Sequence, residues 1–261
     1  MSKYMKTKNV MPGLFLLMTG LMFTGCYDHW RHVEGNYDVT TETRQYTAFD
    51  RVINEGSFDV YIIQDGLSEV MIEAESNLIP LIRTRIQGSA LVIDTQDDLR
   101  NNYPMKIYVH TNELDEVKLS GSGLMHAEDI VTGDLEIHLS GSGEIFFSGT
   151  AEDVTCSISG SGSIDLGLVC NELNADISGS GEMEVWGTAN NGDFHISGSG
   201  SIHAYDLTLQ ECYAKISGSG DMYLTVEDYL NVKISGSGDV YVMGSPDIDT
   251  DITGSGAVIH P

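Results

Sequence analysis

Apolar residues occupy every second position through long stretches of this chain. Before residue 140, for example, Leu135, Ile137 and Leu139 alternate with Glu136 and His138. A period of two is typical of an extended strand that buries one face and exposes the other. Because this pattern persists to the C-terminus, the sequence predicts an all-β protein.

A four-residue motif interrupts the alternation at nearly constant intervals. The spacing between successive copies is 18–20 residues, which is typical of a stacked-repeat architecture and not of a flexible Gly/Ser linker. Seven copies of Ser-Gly-Ser-Gly begin at Ser120, Ser140, Ser159, Ser178, Ser197, Ser217 and Ser235, and an eighth, Thr-Gly-Ser-Gly, begins at Thr253.

The alternation continues through the motif, so that its glycines face inward and its serines face outward. An inward position without a Cβ lets the chain bend sharply or lets two walls approach closely. We therefore predict a structural corner in every copy. Its first glycines are Gly121, Gly141, Gly160, Gly179, Gly198, Gly218, Gly236 and Gly254.

About 19 residues with one corner suit one coil of a single-chain parallel β-helix, or solenoid. One coil cannot stand alone, because its backbone ladders and its packing are completed by neighbouring coils. We expect eight coils over residues 120–261, each rising about 4.8 Å. The general rule for strand crossovers predicts a right-handed helix.

Residues 48–119 lack the motif but alternate as well, and Pro80 marks a short turn at Asn77–Leu81. This region is predicted to be a β-rich cap or the beginning of the helix, since a solenoid must hide its open edge. The candidate strands are Phe58–Ile63, Glu69–Ala74, Ala90–Asp94 and Met105–Val109.

The N-terminus resembles a bacterial lipoprotein signal peptide. Three lysines precede the apolar stretch Val10–Phe23, which is too short to span a bilayer, and Gly25-Cys26 follows where the apolar core stops. By that resemblance residues 1–25 are removed and Cys26 is lipidated, although Phe23 stands where an aliphatic residue is usual. Residues 26–47 are polar and are interpreted as a tether. We therefore expect a lipoprotein of the bacterial outer membrane, with periplasmic and surface-facing placements both open.

The charge and the cysteine count exclude several classes of protein. With 39 acidic and 13 basic residues the net charge is −26, so binding to nucleic-acid phosphates by Lys and Arg is excluded. Beyond Cys26 the chain has only Cys156, Cys170 and Cys212, without C-x-x-C spacing. A disulfide framework or a zinc site is therefore not indicated, and Cys156 and Cys212 are predicted to be buried free thiols.

Candidate chemistry lies on outward positions just after the corners. Asp165, Glu182 and Glu184 fall on neighbouring coils of one face, where carboxylates are suitable ligands for a hard cation such as calcium. No other cofactor is indicated. On the same face, exposed aromatic rings are candidates for stacking on sugars; they are Phe146, Tyr223 and Tyr241.

Motifs of known enzymes are missing from the sequence. The Gly-Ser-Gly copies lie between strands, whereas a nucleophile elbow needs a strand followed by a helix. A β-helical glycan-processing enzyme, with Asp165, Glu182 and Glu184 as its acids, remains an alternative. It is disfavoured because residues 120–214 contain no Arg or Lys to stabilise an anionic intermediate.

Four segments together resemble a bacterial family called putative auto-transporter adhesin, head GIN domain. They are Phe49–Val60, Ser76–Pro80, Gly88–Ile93 and Leu114–Gly123, the last leading into the repeats. The resemblance covers about residues 48–258 and implies a β-helical, non-enzymatic protein of the cell envelope. The expected function is a lipid-anchored adhesin or interaction module, with the membrane as one partner and a glycan or an envelope or host protein as another. A purely structural role in the envelope is the remaining alternative.

Overall fold

A computed structural model of the protein describes residues 32–260. The predicted signal peptide, the predicted lipidation site Cys26 and the first residues of the predicted tether lie outside the described residues. Residues 32–260 form 21 β-strands and one 3-10 turn at Ile79–Leu81, with no α-helix among them. In this part of the chain, no helix has the length and apolar character needed to span a membrane.

The repeat region folds into the stacked coils that the motif predicts. Each coil has a strand that ends at a corner, on face A, and a strand that follows it, on face B. Four of the strands run for 16–18 residues because each continues around the opposite bend, from face B to face A of the next coil. The strands are β10 (Glu116–Gly121), β11 (Leu124–Val131), β12 (Leu135–Gly141), β13 (Glu144–Thr150), β14 (Asp153–Gly160), β15 (Ser163–Gly179), β16 (Glu182–Gly198), β17 (Ser201–Gly218), β18 (Asp221–Gly236), β19 (Val240–Gly244), β20 (Asp247–Gly254) and β21 (Val258–Ile259).

Neighbouring coils pair in parallel and in register, so that equivalent residues lie above one another. Leu139 pairs with Ile158, and Ile158 pairs with Ile177, on the inner side of face A. Register shifts occur on face B in the two coils whose corners are 20 residues apart. In one of them Glu184 pairs with His203 but Trp186 pairs with Asp206. The extra residue of a longer repeat is therefore accommodated as a β-bulge.

The corner requires glycine because the backbones approach so closely there. The first glycines of the eight corners have φ between +127° and +153°. A Cβ on any of them would lie 2.1–2.8 Å from the carbonyl oxygen of the equivalent glycine on the preceding coil. An L side chain would therefore be strained by the backbone conformation and would also displace the stack.

The inward residues of all coils form one continuous apolar core. Cys156 and Cys212 are buried within it and Cys170 is partly buried, all three as free thiols. Burial raises the pKa of Cys156 and Cys212, and it raises that of Cys170 to about 12. The two predicted buried thiols are thus confirmed, and protonated thiols of this kind behave as small apolar side chains.

The N-terminal region forms two further coils and the end of the rod. The strands β3 and β4 make a coil that lies between the first repeat coil and an outer coil made of β7 and β9. The candidate strands and the turn at Pro80 are confirmed. The elements are β3 (Arg51–Asn54), β4 (Asp59–Gln64), β5 (Glu69–Glu75), β6 (Ile82–Gln87), β7 (Ala90–Thr95), β8 (Asp98–Arg100) and β9 (Lys106–Thr111).

Antiparallel strands cover this end. β6 pairs with β7, β5 pairs with β9, and a further strand, β2 (Val39–Gln45), pairs with β5. β1 (His32–Glu34) pairs with β8 in a separate two-stranded sheet. The tether predicted over residues 26–47 is therefore wrong for residues 32–45.

The reason for this error is that β2 is an exposed edge strand. Six of its seven residues are exposed, so it shows no apolar alternation. It is held by backbone pairing and by Arg44, whose guanidinium donates to the carbonyl oxygen of Ile82 at 2.8 Å and to Thr84 Oγ1 at 2.8 Å. These contacts depend on distant residues that no local pattern indicates.

The C-terminal end of the rod is open. Among residues 32–260, no strand pairs with the outer edge of β20 or β21. Ile252 in β20 is 40% exposed, whereas Ile234, its partner in register one coil earlier, is 2% exposed. The last coil thus leaves apolar core and backbone groups uncovered.

Candidate functional site

A single file of outward side chains follows face B along the rod, and we call it the face-B column. The parallel register places its members above one another, which confirms the alignment that the sequence predicts and extends it by Tyr61 and Tyr108. In spatial order the column consists of Tyr108, Tyr61, His126, Phe146, Asp165, Glu184, His203, Tyr223, Tyr241 and Ile259.

The aromatic members of the column stack on each other. Phe146 lies on His126 with ring centroids 4.6 Å apart, and Tyr223 lies between His203 at 4.6 Å and Tyr241 at 4.8 Å. The planes of these pairs differ by 6–11°. Because the ring faces cover one another, the ring edges point toward solvent. Sugar stacking on Phe146, Tyr223 and Tyr241 stays a prediction, and free ring faces are found only where a stacked run ends.

Carboxylates interrupt the column at its centre. Asp165 and Glu184 take two successive positions, and Glu182 lies beside them at the start of the same strand as Glu184. Partial burial raises the pKa of Asp165, and the negative charges of Glu184 and Glu182 raise it further. The three predicted carboxylates therefore repel one another, which is the electrostatic situation that a bound cation relieves. Cation binding here stays a prediction.

A groove of about 390 Å³ lies beside these carboxylates, at the β-bulge. Bulges re-aim side chains and are common next to functional sites. The lining residues are Glu182, Glu184, Val185, Trp186, His203, Tyr205 and Asp206.

Trp186 is the largest side chain of the groove. It lies against the backbone of the neighbouring strand, because Gly167 has no side chain: a Cβ there would be 2.5 Å from the indole ring. The centroid of the Trp186 ring is 5.9 Å from that of Phe146, so Trp186 packs next to the stacked pair of His126 and Phe146. Trp186 also lines the groove together with Glu182 and Glu184. The groove thus combines an aromatic surface with acidic hydrogen-bond acceptors.

Donors are also present in the groove. His203 Nε2 lies 3.2 Å from Glu182 Oε1. Burial raises the pKa of Tyr205, and the Tyr205 ring packs edge-on against Tyr223 at 5.4 Å. The Tyr205 phenol is therefore protonated at neutral pH and can donate a hydrogen bond. Such a set of donors and acceptors around an aromatic ring suits a ligand with many hydroxyl groups.

Sequence reasoning missed Trp186, Tyr205 and Asp206. Trp186 follows the regular alternation as an outward residue paired with Gly167, one outward position beyond the column that the sequence predicts. The extra residue of β17 shifts the register there, so that Asp206 and not Tyr205 pairs with Trp186. The signal was present in the spacing, because the corners at Ser197 and Ser217 are 20 residues apart whereas the preceding corners are 19 apart. An extra residue in one coil indicates where the regular column is broken.

A tighter cluster of possible metal ligands lies elsewhere, on face A. Within residues 32–260, Glu116, Glu136 and His138 form the one group of three whose ligand atoms all lie within 4.8 Å of one another. Arg51 Nη1 already lies 3.7 Å from Glu116 Oε2 and partly neutralises this group. The predicted Asp165, Glu182 and Glu184 are more widely spread.

Comparison with known proteins gives a family and several similar structures. The family described as putative auto-transporter adhesin, head GIN domain, matches residues 48–246. A crystal structure of a putative lipid binding protein from Parabacteroides distasonis ATCC 8503 has 26% identity and a TM-score of 0.81, covering 88% of this chain and all of that one. No curated protein matches the chain.

Two structures titled putative adhesin share the fold. That from Parabacteroides merdae ATCC 43184 has 23% identity and a TM-score of 0.82, covering 88% of this chain and 99% of the other. That from Bacteroides fragilis NCTC 9343 has 22% identity and a TM-score of 0.65, covering 88% of this chain and 100% of the other.

Proposed function

Because the chain belongs to the putative auto-transporter adhesin, head GIN domain family, we propose that it is a non-enzymatic binding module of the bacterial cell envelope. It is anchored by a lipid on Cys26 and binds a glycan in the groove on face B. The observation that carries this proposal is the position of Trp186 beside Glu182 and Glu184 in that groove.

The chemistry of the groove supports a sugar as the ligand. A sugar ring has an apolar C–H face that packs on an indole, and hydroxyl groups that donate to carboxylates. Trp186 offers the surface, and Glu184 and Asp206 offer acceptors at its edge. A glycan chain extending from the groove would meet the rest of the face-B column, which continues over several coils in both directions.

Binding is favoured over catalysis because the groove lacks a strong cation. Neither Lys nor Arg lines it, and His203 is its one imidazole. An anionic intermediate of polysaccharide cleavage would find three carboxylates around it and no Lys or Arg to offset their charge. The glycan-processing alternative predicts release of reducing ends that Glu182→Gln abolishes, whereas the binding module releases none.

A glycan array that includes peptidoglycan fragments tests the binding function, with the mature chain carrying Cys26→Ser so that it stays soluble. We expect saturable binding to at least one glycan class. Trp186→Ala should weaken this binding about 30-fold, the effect of removing a central aromatic anchor. Tyr103→Ala, at an exposed ring several coils from the groove, is the matched control and should bind as the wild type does. Equal binding by Trp186→Ala and the wild type would refute the proposal.

The anchor is supported by the apolar stretch Val10–Phe23 that ends just before Cys26. Growth with radiolabelled palmitate should label the wild-type chain and not Cys26→Ser. Protease treatment of intact cells then distinguishes the two placements. Cleavage with intact periplasmic markers indicates the cell surface, and protection until the outer membrane is broken indicates envelope partners.

A further inference from the structure

A second hollow lies on face A, away from the groove on face B. Its volume is about 470 Å³, and we call it the face-A pocket. Its lining is mainly apolar and includes Gly192, Glu211, Tyr213, Tyr229, Asn231 and Lys233.

One of the lining residues is a glycine. Gly192 occupies an inward position whose register partners are Leu173 on one side and Cys212 on the other. A Cβ on Gly192 would reach the side chains of Leu209 at 3.1 Å and Phe194 at 3.3 Å. The space inward of Gly192 is thus already filled by Leu209 and Phe194, and the hollow is bordered by outward residues such as Tyr213 and Tyr229.

Two polar groups of the pocket lack partners. Asn231 Oδ1 is buried and accepts no hydrogen bond from any residue between 32 and 260. Lys233 forms no ion pair within the described residues, and its ammonium group lies 5.5 Å from the centre of the Tyr213 ring. A buried acceptor without a donor costs free energy, so Asn231 is a place where a ligand can supply the missing donor.

The positions of the lysines indicate the charge of the ligand. Lys215 and Lys233 are the only Lys or Arg residues after Lys118, in a chain with a net charge of −26. They pair in register on adjacent strands, an arrangement in which like charges destabilise the sheet. Asp251 is the register partner of Lys233 on the next strand and forms no ion pair with it among the described residues, so an anion held beside both ammonium groups would further reduce that repulsion.

We propose that the face-A pocket binds an acidic sugar. The sugar carboxylate pairs with Lys233 and is attracted by Lys215. Its apolar ring face packs on Tyr213 and Tyr229, and its hydroxyl groups donate to Asn231 Oδ1 and to Glu211. The Glu211 carboxylate accepts hydrogen bonds, so the pocket favours an anion that also carries hydroxyl donors. A sugar acid has such hydroxyl groups, whereas a fatty acid has none. This site is separate from the groove around Trp186, so either proposal can fail without the other.

Calorimetric titration of the mature Cys26→Ser chain with trigalacturonate and with maltotriose tests the proposal. Trigalacturonate should bind saturably, and its affinity should fall as salt is added. Maltotriose, which lacks the carboxylates, should bind at least about tenfold more weakly. Lys233→Gln should weaken trigalacturonate binding about 10–100-fold by removing a charge-assisted hydrogen bond. Lys118→Gln, on the same face but several coils away, is the control for net charge and should bind normally.

A second variant separates a binding role from a structural one. Asn231→Leu removes the unpartnered acceptor, so it should weaken binding while the melting temperature is unchanged or higher. Trp186→Ala should leave trigalacturonate binding intact. The proposal is overturned if the wild type shows no saturation with trigalacturonate, if maltotriose binds equally well, or if Lys233→Gln binds like the wild type.

Discussion

The two ends of the rod are built on different principles. The four buried polar residues of the described chain all lie in the N-terminal region; they are Asn54, Glu75, Asp94 and Thr111. Each has specific partners there. Thr111 Oγ1, for example, lies 2.9 Å from the carbonyl oxygen of Phe49 and 2.8 Å from that of Glu113. In the repeat region every buried residue is apolar or glycine, although single polar atoms such as Asn231 Oδ1 are buried as well, and the described coils end at the uncovered strand β20.

This difference shows what each region contributes. Coils in the repeat region are specified by glycine at the corner and by apolar residues inside, and any coil resembles the next. The N-terminal end must instead stop the stacking, and it does so with antiparallel strands fixed by buried hydrogen bonds. Substitutions at equivalent positions of different coils can therefore show how much of the free energy of unfolding each coil owes to the coils beside it.

The largest effect is expected for Gly179→Ala, in the middle of the rod. The new Cβ would lie 2.5 Å from the carbonyl oxygen of Gly160, at a φ of +129°. Strain and overpacking together should lower the free energy of unfolding by about 4 kcal/mol, measured by urea denaturation.

Two controls sharpen this result. Gly133→Ala, with nothing within 4 Å of the new Cβ, should have almost no effect. Gly254→Ala creates a closer contact, 2.1 Å from the Gly236 oxygen, yet should cost less because the last coil can move away. A loss at Gly254 as large as that at Gly179 would mean that the C-terminal end is not free.

Two isoleucines at equivalent positions of neighbouring coils test whether the last coil is uncovered. Ile234→Ala removes a buried side chain and should lower the free energy of unfolding by about 3 kcal/mol. Ile252→Ala, at the partner position in the exposed coil, should lower it by less than about 1 kcal/mol. Similar losses in thermal or urea unfolding would argue that another molecule covers β20.

The N-terminal end of the rod should lose stability in acid because of Glu75. Burial favours the neutral acid, but hydrogen bonds from the Asn102 side chain and from the backbone N–H groups of Asn102, Tyr37 and Tyr103 outweigh it and lower the pKa of Glu75 below its usual 4.5. Since this pKa is depressed in the folded state, its stabilising effect is present above pH 4.5 and is lost as the pH falls through the folded value. Glu75→Gln should therefore unfold more easily at neutral pH and show a flatter pH dependence below pH 4.5. If the variant and the wild type lose stability with the same pH dependence, Glu75 is not the cause of the acid sensitivity.

The smallest effect is expected at Asp165. Its pKa is raised in the folded state, so the charged form opposes folding at neutral pH, and this penalty is relieved as the pH falls. Asp165→Asn should raise the free energy of unfolding at pH 7 by less than about 1 kcal/mol. If the carboxylates hold calcium, millimolar calcium should raise the melting temperature of the wild type and not that of Asp165→Asn. If Asp165→Asn lowers the free energy of unfolding in the absence of calcium, the expected repulsion between Asp165 and the carboxylates of Glu182 and Glu184 is contradicted.

The regular part of this fold could be predicted from sequence because its spacing repeats. The constant interval between corners is enough to place Phe146, Asp165 and Glu184 in one column. The groove could not be placed in the same way, because the positions of Tyr205 and Asp206 relative to Trp186 depend on a one-residue bulge. At the N-terminal end, β2 follows no periodic pattern, and its position is fixed by Arg44 and by pairing with β5.

Hydrogen exchange followed by mass spectrometry of the mature Cys26→Ser chain tests the contrast between the two ends most directly. Backbone amides open locally with free energies that depend on burial and pairing, so exchange rates report how each coil is covered. Slow exchange is predicted in β5, β7 and β9 and in β14–β18, with much faster exchange in β20 and β21. Protection of β20 and β21 equal to that of β14–β18 would contradict the account, because it would show that the C-terminal end is closed.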